Sequence, residues 1–219
     1  MSTTKRVSAI GAAGLTLCLS GMTHAGTIEP GEKALMRAVT QYLADHGDLC
    51  VGKFTWPRVV TLQDRQNRTS DAVQLPVLER LGLVESTEIL PPASATPRST
   101  APSARSYSLT AKGRQYYLQK KRITLGAHGQ LVERDQDLCV ARLRLDRVVK
   151  WTPPENARGH LETEVRYTYR IKAADWMENP EARKVFPVVD RIVRGQGNLM
   201  MSVSVQLQEG QWVAVLPGQ

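Results

Sequence analysis

The chain has 219 residues, with 29 Lys and Arg against 21 Asp and Glu and a formal net charge of +8. That length suffices for one large domain or two small ones, each with its own core. The basic residues are scattered rather than blocked, which describes a soluble surface or one that favours anionic partners such as lipid headgroups, acidic polysaccharide or an acidic protein. The three cysteines form no CxxC, and His46, His128 and His160 lie far apart, so no zinc pattern is available.

Residues 1–25 have the layout of an export signal. Lys5 and Arg6 form a positive start, Val7 to Met22 is an apolar run, and Thr23-His24-Ala25 puts small residues where a signal peptidase reads. Cleavage after Ala25, leaving Gly26 first, implies a periplasmic or secreted protein. The alternative is a buried helix or a membrane anchor. The run is short for a span, contains Gly11, Gly14 and Gly21, and is followed by no second apolar run. A lipoprotein signal at Leu15-Thr16-Leu17-Cys18 is a weaker match, because Leu17 stands where a small residue belongs. Removing residues 1–25 takes away two basic residues and no acid, and leaves Cys50 and Cys139. In an oxidising compartment such a pair is most simply a disulfide, closing a loop of about 90 residues and contributing roughly 4 kcal/mol. Two unpaired buried thiols are the alternative.

Apolar residues Leu35, Ala38, Val39, Tyr42 and Leu43 recur at helical spacing and predict a helix from about Gly31 to Asp45, stopped by Gly47. Residues 48–57 read as extended, and 64–70 as a polar loop. Ser70 or Asp71 can cap a helix running to Leu81, in which Pro76 should cause a kink or begin a shorter helix. Leu83 to Leu90 reads as a strand. The stretch from 91 to 104, rich in Pro, Ala, Ser and Thr, has little to bury and is expected to be mobile. A strand returns at Arg105 to Leu109, and a helix is expected from Ala111 to Lys121.

The second half alternates. Ile123 to Leu125 and Leu131 to Glu133 form a hairpin around residues 127–129. Cys139, Ala141, Leu143 and Leu145 share one strand face, opposite Val140, Arg142, Arg144 and Asp146. Arg147 interrupts the apolar face, and Pro153-Pro154 ends the segment. Leu161 to Ile171 alternates most cleanly. Residues 173–193 are partly helical, interrupted at Pro180 and Pro187. Leu199 to Gln208 and Gln211 to Leu216 form a hairpin around Glu209-Gly210. Asp48-Leu49-Cys50-Val51 recurs as Asp137-Leu138-Cys139-Val140, either by chance or because two strands meet at a disulfide.

Two stretches carry a resemblance. Leu78-Glu79-Arg80-Leu81-Gly82-Leu83-Val84, paired with Tyr107-Ser108-Leu109-Thr110-Ala111-Lys112-Gly113, resembles a winged-helix domain of the MarR and PadR regulator type. The resemblance implies that the first stretch ends a recognition helix and the second leaves the wing. Residues 72–76 depart from that pattern. Ala72, Val73, Leu75 and Pro76 stand where such a helix offers polar and basic groups to DNA, and the wing is stretched by the 91–104 insert.

The expected fold class is therefore α+β. A signal peptide (1–25) precedes a winged-helix-like subdomain (26–121) and an antiparallel sheet with one helical crossover (122–219). No GxSxG, HExxH, P-loop or GxGxxG occurs, so no catalytic, metal or cofactor residue is assigned. Glu162 and Glu164 could pair as acids, but read more simply as a wet strand face with Arg166 and Arg170 as charge partners. Arg142 and Arg144 could serve the same way. Trp151, Trp176 and Trp212 could line a pocket, although tryptophans more often pack cores. Together with Arg166 and Arg170 they are the candidate ligand or partner contacts.

These readings describe an exported, non-enzymatic binding or interaction protein of the envelope, of inhibitor or immunity type, whose partner is another envelope or secreted protein. Nucleic acid is not the expected partner. The alternatives are a cytoplasmic winged-helix DNA-binding regulator and, more weakly, an envelope hydrolase with an unrecognised site.

Overall fold

The computed structural model describes residues 29–90, 104–125, 131–157 and 159–216. The expected signal peptide, nearly all of the 91–104 insert and the tip of the 127–129 hairpin lie outside the described residues. The fold is α+β. Strands β1 (Asp48–Cys50), β5 (Tyr117–Leu125), β6 (Leu131–Trp151), β7 (Glu155–Ala157), β8 (His160–Ala173), β9 (Met201–Gln208) and β10 (Gln211–Val215) form a seven-stranded sheet. Its main order is β1-β6-β8-β9-β10, with β5 on β6 and β7 on β8, and every pairing is antiparallel. A three-stranded sheet combines β2 (Arg58–Thr61), β3 (Val84–Ile89) and β4 (Ala104–Leu109) in the order β2-β4-β3. Among the described residues no helix is long and apolar enough to cross a membrane.

Helix α1 (Glu32–His46) follows its apolar spacing and buries Leu35, Ala38, Val39 and Leu43. Gly47 follows the helix as expected, for a steric reason. A Cβ there would lie 2.4 Å from the Leu43 carbonyl oxygen and 2.8 Å from that of Leu143. The Gly47 N–H donates to Leu43, and the Leu143 N–H donates to Gly47 at 2.8 Å, so the helix end rests directly on β6. Lys120 donates to the Ala44 and Asp45 carbonyls and Arg142 to that of Ala44, placing cations at the negative end of the helix.

Several elements differ from expectation. A short helix α2 (Leu62–Gln66), with a capping box between Thr61 and Asp64, lies partly in the stretch read as loop. Helix α3 (Ser70–Arg80), capped by Thr69, runs through Pro76. Helix α4 (Ala111–Arg114) is a single turn, and the chain is a strand from Tyr117 onward. Gly113 packs against Leu83, where a Cβ would meet the carbonyl oxygen at 1.9 Å, and the following residues pair with β6 instead of continuing the helix. Pro180 and Pro187 start helices rather than interrupt one: α5 (Pro180–Val185) and α6 (Pro187–Arg194) each begin at a proline, after a 3-10 turn at Asp175–Glu178. The tetrapeptide echo has a structural counterpart. Strands β1 and β6 pair with Cys50 opposite Cys139, and the two are joined by a disulfide of 2.04 Å.

Two hydrophobic cores result, and neither respects a division of the sequence at residue 121. One joins Val60, Leu75, Leu78, Leu83, Val84, Tyr107 and Leu109 to Leu138, Val140, Trp176, Met177, Phe186 and Val189. The other joins α1 to Leu143, Val148, Val165, Tyr167, Tyr169, Val203 and Val205. Beside the first core lies a polar knot. Lys53 is only 3% exposed, and its ammonium donates to Asp71 and Gln74, both at 2.7 Å. Arg58 holds the other Asp71 oxygen at 2.6 and 2.8 Å. The Lys53 backbone N–H donates to Asp137 at 2.7 Å, and Gln74 donates to the Val185 carbonyl at 3.0 Å. The knot therefore ties α3 to β6 and α5.

Two outcomes are expected. Replacing Cys50 and Cys139 by Ser lowers stability in denaturant unfolding by about 4 kcal/mol, because the 89-residue separation no longer constrains the unfolded chain. For Asp71, burial raises the pKa, but hydrogen bonds from Lys53 and Arg58 outweigh it and hold the carboxyl below its usual range. A lowered folded pKa means that this stabilisation is complete above the ordinary carboxylate range and is lost as pH falls through the folded value. Asp71→Asn should thus cost about 3 kcal/mol near neutral pH by leaving Lys53 buried without a counter-charge. Urea titrations should show its deficit against wild type shrinking below about pH 4. A deficit independent of pH would contradict this account.

Candidate functional site

The register of β6 against β8 sorts their side chains onto two faces, because directly opposed residues share a face. Leu143↔Ile171, Leu145↔Tyr169, Val148↔Tyr167 and Trp151↔Val165 lie on the face that α1 covers. Arg142↔Lys172, Arg144↔Arg170, Arg147↔Thr168 and Lys150↔Arg166 lie on the other. Along β6 that second face is covered at Leu138 and Val140 by the first core and is open beyond them.

Two irregularities shape the open face. The register shifts between Leu145 and Arg147 and again between Val148 and Lys150, making Asp146 and Val149 the extra residues of two bulges. The first bulge moves Arg147 from the apolar side, where strict alternation would put it, to the open side. Rows two residues apart are spaced by about 6.7 Å, so the four rows extend about 20 Å. Strand β9 continues the face with Ser202, Ser204 and Gln206 opposite Arg166, Glu164 and Glu162.

Three of the four rows oppose cation to cation. Arg142, Arg144, Arg147, Lys150, Arg166, Arg170 and Lys172 are all exposed. Carboxylates hold some of them. Arg170 reaches Asp146 at 2.6 Å, Arg166 reaches Glu164 at 3.2 Å along its own strand, and Arg142 lies 3.5 Å from Asp48. Asp146 also accepts from the buried Thr168 hydroxyl at 3.0 Å. The Arg170 and Thr168 bonds hold its carboxyl below the usual range, so it stays ionised as the anchor of the array. Among the described residues no ion pair occupies Arg144, Lys150 or Lys172. Like charges directly opposite destabilise a sheet. Among the described residues, strand β8 sets no carboxylate opposite Arg142, Arg144 or Lys150.

The sequence-level candidates divide accordingly. Arg166 and Arg170 belong to the array. The sequence pattern pairs them with Glu162 and Glu164 across strands, with Arg142 and Arg144 in the same role. Instead Arg144 opposes Arg170 and Arg142 opposes Lys172, while Glu162 and Glu164 face Gln206 and Ser204. The tryptophans are not gathered. Trp176 is buried edge-on between Tyr116 and Phe186 at 6.4 and 6.0 Å. Trp212 packs on the α1 core, and Trp151 stands at the far end of β6, 37% exposed. The contributions of Arg147, Lys150 and Lys172 are not apparent from the sequence, because they depend on register and on two bulges.

A separate open cleft of about 680 Å³ is lined by Thr55, Trp56, Pro57, Arg114, Tyr117, Gln119 and Gln136 among others. The Tyr117 hydroxyl is already engaged with the Phe54 carbonyl at 2.6 Å, and among the described residues no carboxylate lines the cleft. No family model matches the chain, and no curated protein or solved structure matches it.

Charge reversal at Arg144 tests whether the array works against stability. Arg144→Glu should raise stability by about 0.5 kcal/mol at low salt by converting a repulsive row into an attractive one. The gain should shrink with added salt, read from urea midpoints at two ionic strengths. A loss of stability would show that the row is not under like-charge strain.

Proposed function

We propose that the chain is an exported, non-enzymatic binding protein of the cell envelope, and that its open sheet face engages an acidic surface on another envelope or secreted protein. The observation that carries this reading is the set of three cation-opposed rows, with Arg144, Lys150 and Lys172 unpaired among the described residues. A partner carboxylate set into those rows would relieve repulsion and gain attraction at once, which favours both fast encounter and specificity. The disulfide supports an oxidising destination for the chain, as does the three-part layout of residues 1–25.

The winged-helix resemblance enters this reading as architecture. Residues 58–109 run strand, helix, helix, strand, strand, and close as the sheet β2-β4-β3, an order that supports it. The helix corresponding to the recognition helix is α3. It buries Leu75, Val77 and Leu78, and it is tied to α5 by the Gln74–Val185 bond and by Arg80 with Glu181 at 2.8 Å. A helix engaged in this way has little left to offer a major groove. The first helix, α1, packs on the other sheet.

Protein recovered from the periplasmic fraction should begin at Gly26. A pull-down from envelope extract should retain an acidic protein that salt releases, and Arg144→Glu combined with Lys150→Glu should abolish retention while leaving the fold intact. A cytoplasmic protein beginning at Met1, or unchanged retention by the double variant, would overturn the reading. Salt-dependent binding to duplex DNA would favour the regulator instead.

A further inference from the structure

Among the described residues, strand β10 ends the main sheet and pairs with β9 alone. Exposed strand edges are normally blunted by shortness, charge, proline or a bulge. At the opposite end of the order β1 shows such devices. It has three residues, its register shifts between Leu49 and Cys50, and it is bound by the disulfide. Strand β10 has none of them. Gln211-Trp212-Val213-Ala214-Val215 carries no charge and no proline, and its register is unbroken.

We propose that β10 pairs antiparallel with β10 of a second copy of this chain, centred on Val213. The register follows from the hairpin. Glu209 and Gly210 have φ of 50° and 79°, which makes the two-residue turn of the primed type and makes Gln208 and Gln211 its hydrogen-bonded closing pair. Antiparallel ladders alternate. Gln211, Val213 and Val215 therefore bond to β9, while the N–H and C=O of Trp212 and Ala214 point away from it. A two-fold axis through Val213 sets Trp212 against the partner's Ala214, and Ala214 against the partner's Trp212. All four outward groups on each strand are then satisfied within the five residues.

The side chains agree with that register. Trp212 and Ala214 lie on the α1 side, so each large residue meets a small one. Val213, 39% exposed on the opposite side, meets the partner's Val213. No charge on β10 opposes its own copy. The two-fold axis stands perpendicular to the sheets, so both open basic faces point the same way. The dimer thus presents two arrays to one partner surface, with the avidity that simultaneous engagement confers. The pairing itself rests on the edge geometry and not on what the basic face binds.

Sedimentation equilibrium or light scattering on the purified full chain, over a concentration series, tests the proposal. Wild type should show twice the chain mass. Val213→Lys places two ammonium groups opposite each other, and Ala214→Pro removes an outward N–H without touching the bonds to β9. Both variants should show the single chain mass with unchanged far-ultraviolet circular dichroism. A wild type that is monomeric throughout the series would overturn the proposal. Dimers that survive both substitutions would also overturn it, by placing the contact elsewhere.

Discussion

In a β-strand every second side chain points to the same side, and the 21 residues of β6 carry that constraint through the whole molecule. On one side Leu138 and Val140 enter the first core, and the same side continues as Arg142 and Arg144. On the other side Leu143 and Val148 enter the core that α1 closes. Because one strand serves both cores, neither can shift without moving the other. The disulfide at Cys139, the Lys53–Asp137 bond and the Gly47–Leu143 bond all attach to β6, so the first half of the chain hangs from a strand of the second.

The open face arises from the same alternation, adjusted at two residues. Each bulge inserts a side chain and reverses the parity of the residues after it. The first one leaves Asp146 among cations, where it binds Arg170 and Thr168, and turns Arg147 outward. A sheet selected for stability alone would put carboxylates across from Arg144 and Lys150. Its glutamates face Ser204 and Gln206 instead. Sites whose local arrangement works against stability are where function is to be sought.

The legible and illegible parts of the fold separate along physical lines. Period and punctuation were readable. The spacing of Leu35, Val39 and Leu43 gave α1, the alternation from Leu161 to Ile171 gave most of β8, and Glu209-Gly210 gave the last hairpin. The disulfide was readable from a pair count, whereas the echoed tetrapeptide left chance and a strand pairing equally open until Cys50 was found opposite Cys139. Competition between local and tertiary preference was not readable. Residues 115–121 suit a helix by spacing, but the ladder with β6 takes them from Tyr117. Register was also out of reach, since one sequence cannot say whether Arg144 meets a glutamate or an arginine. Arg166 and Arg170 could therefore be picked out as a polar face, while the sign of their neighbours could not.

The interleaving of the cores also has a consequence in time. The apolar face of α1 lies near the start of the described chain, and among its contacts is β10, close to the end. Leu35 and Val39 have no complete surface to bury against until the residues after Gly210 exist. Leu75 and Leu78 likewise wait for Trp176 and Phe186. The first core is thus complete only once Phe186 and Val189 have joined it, and the second only once Trp212 and Ala214 have. Such non-local closure is intrinsically slow.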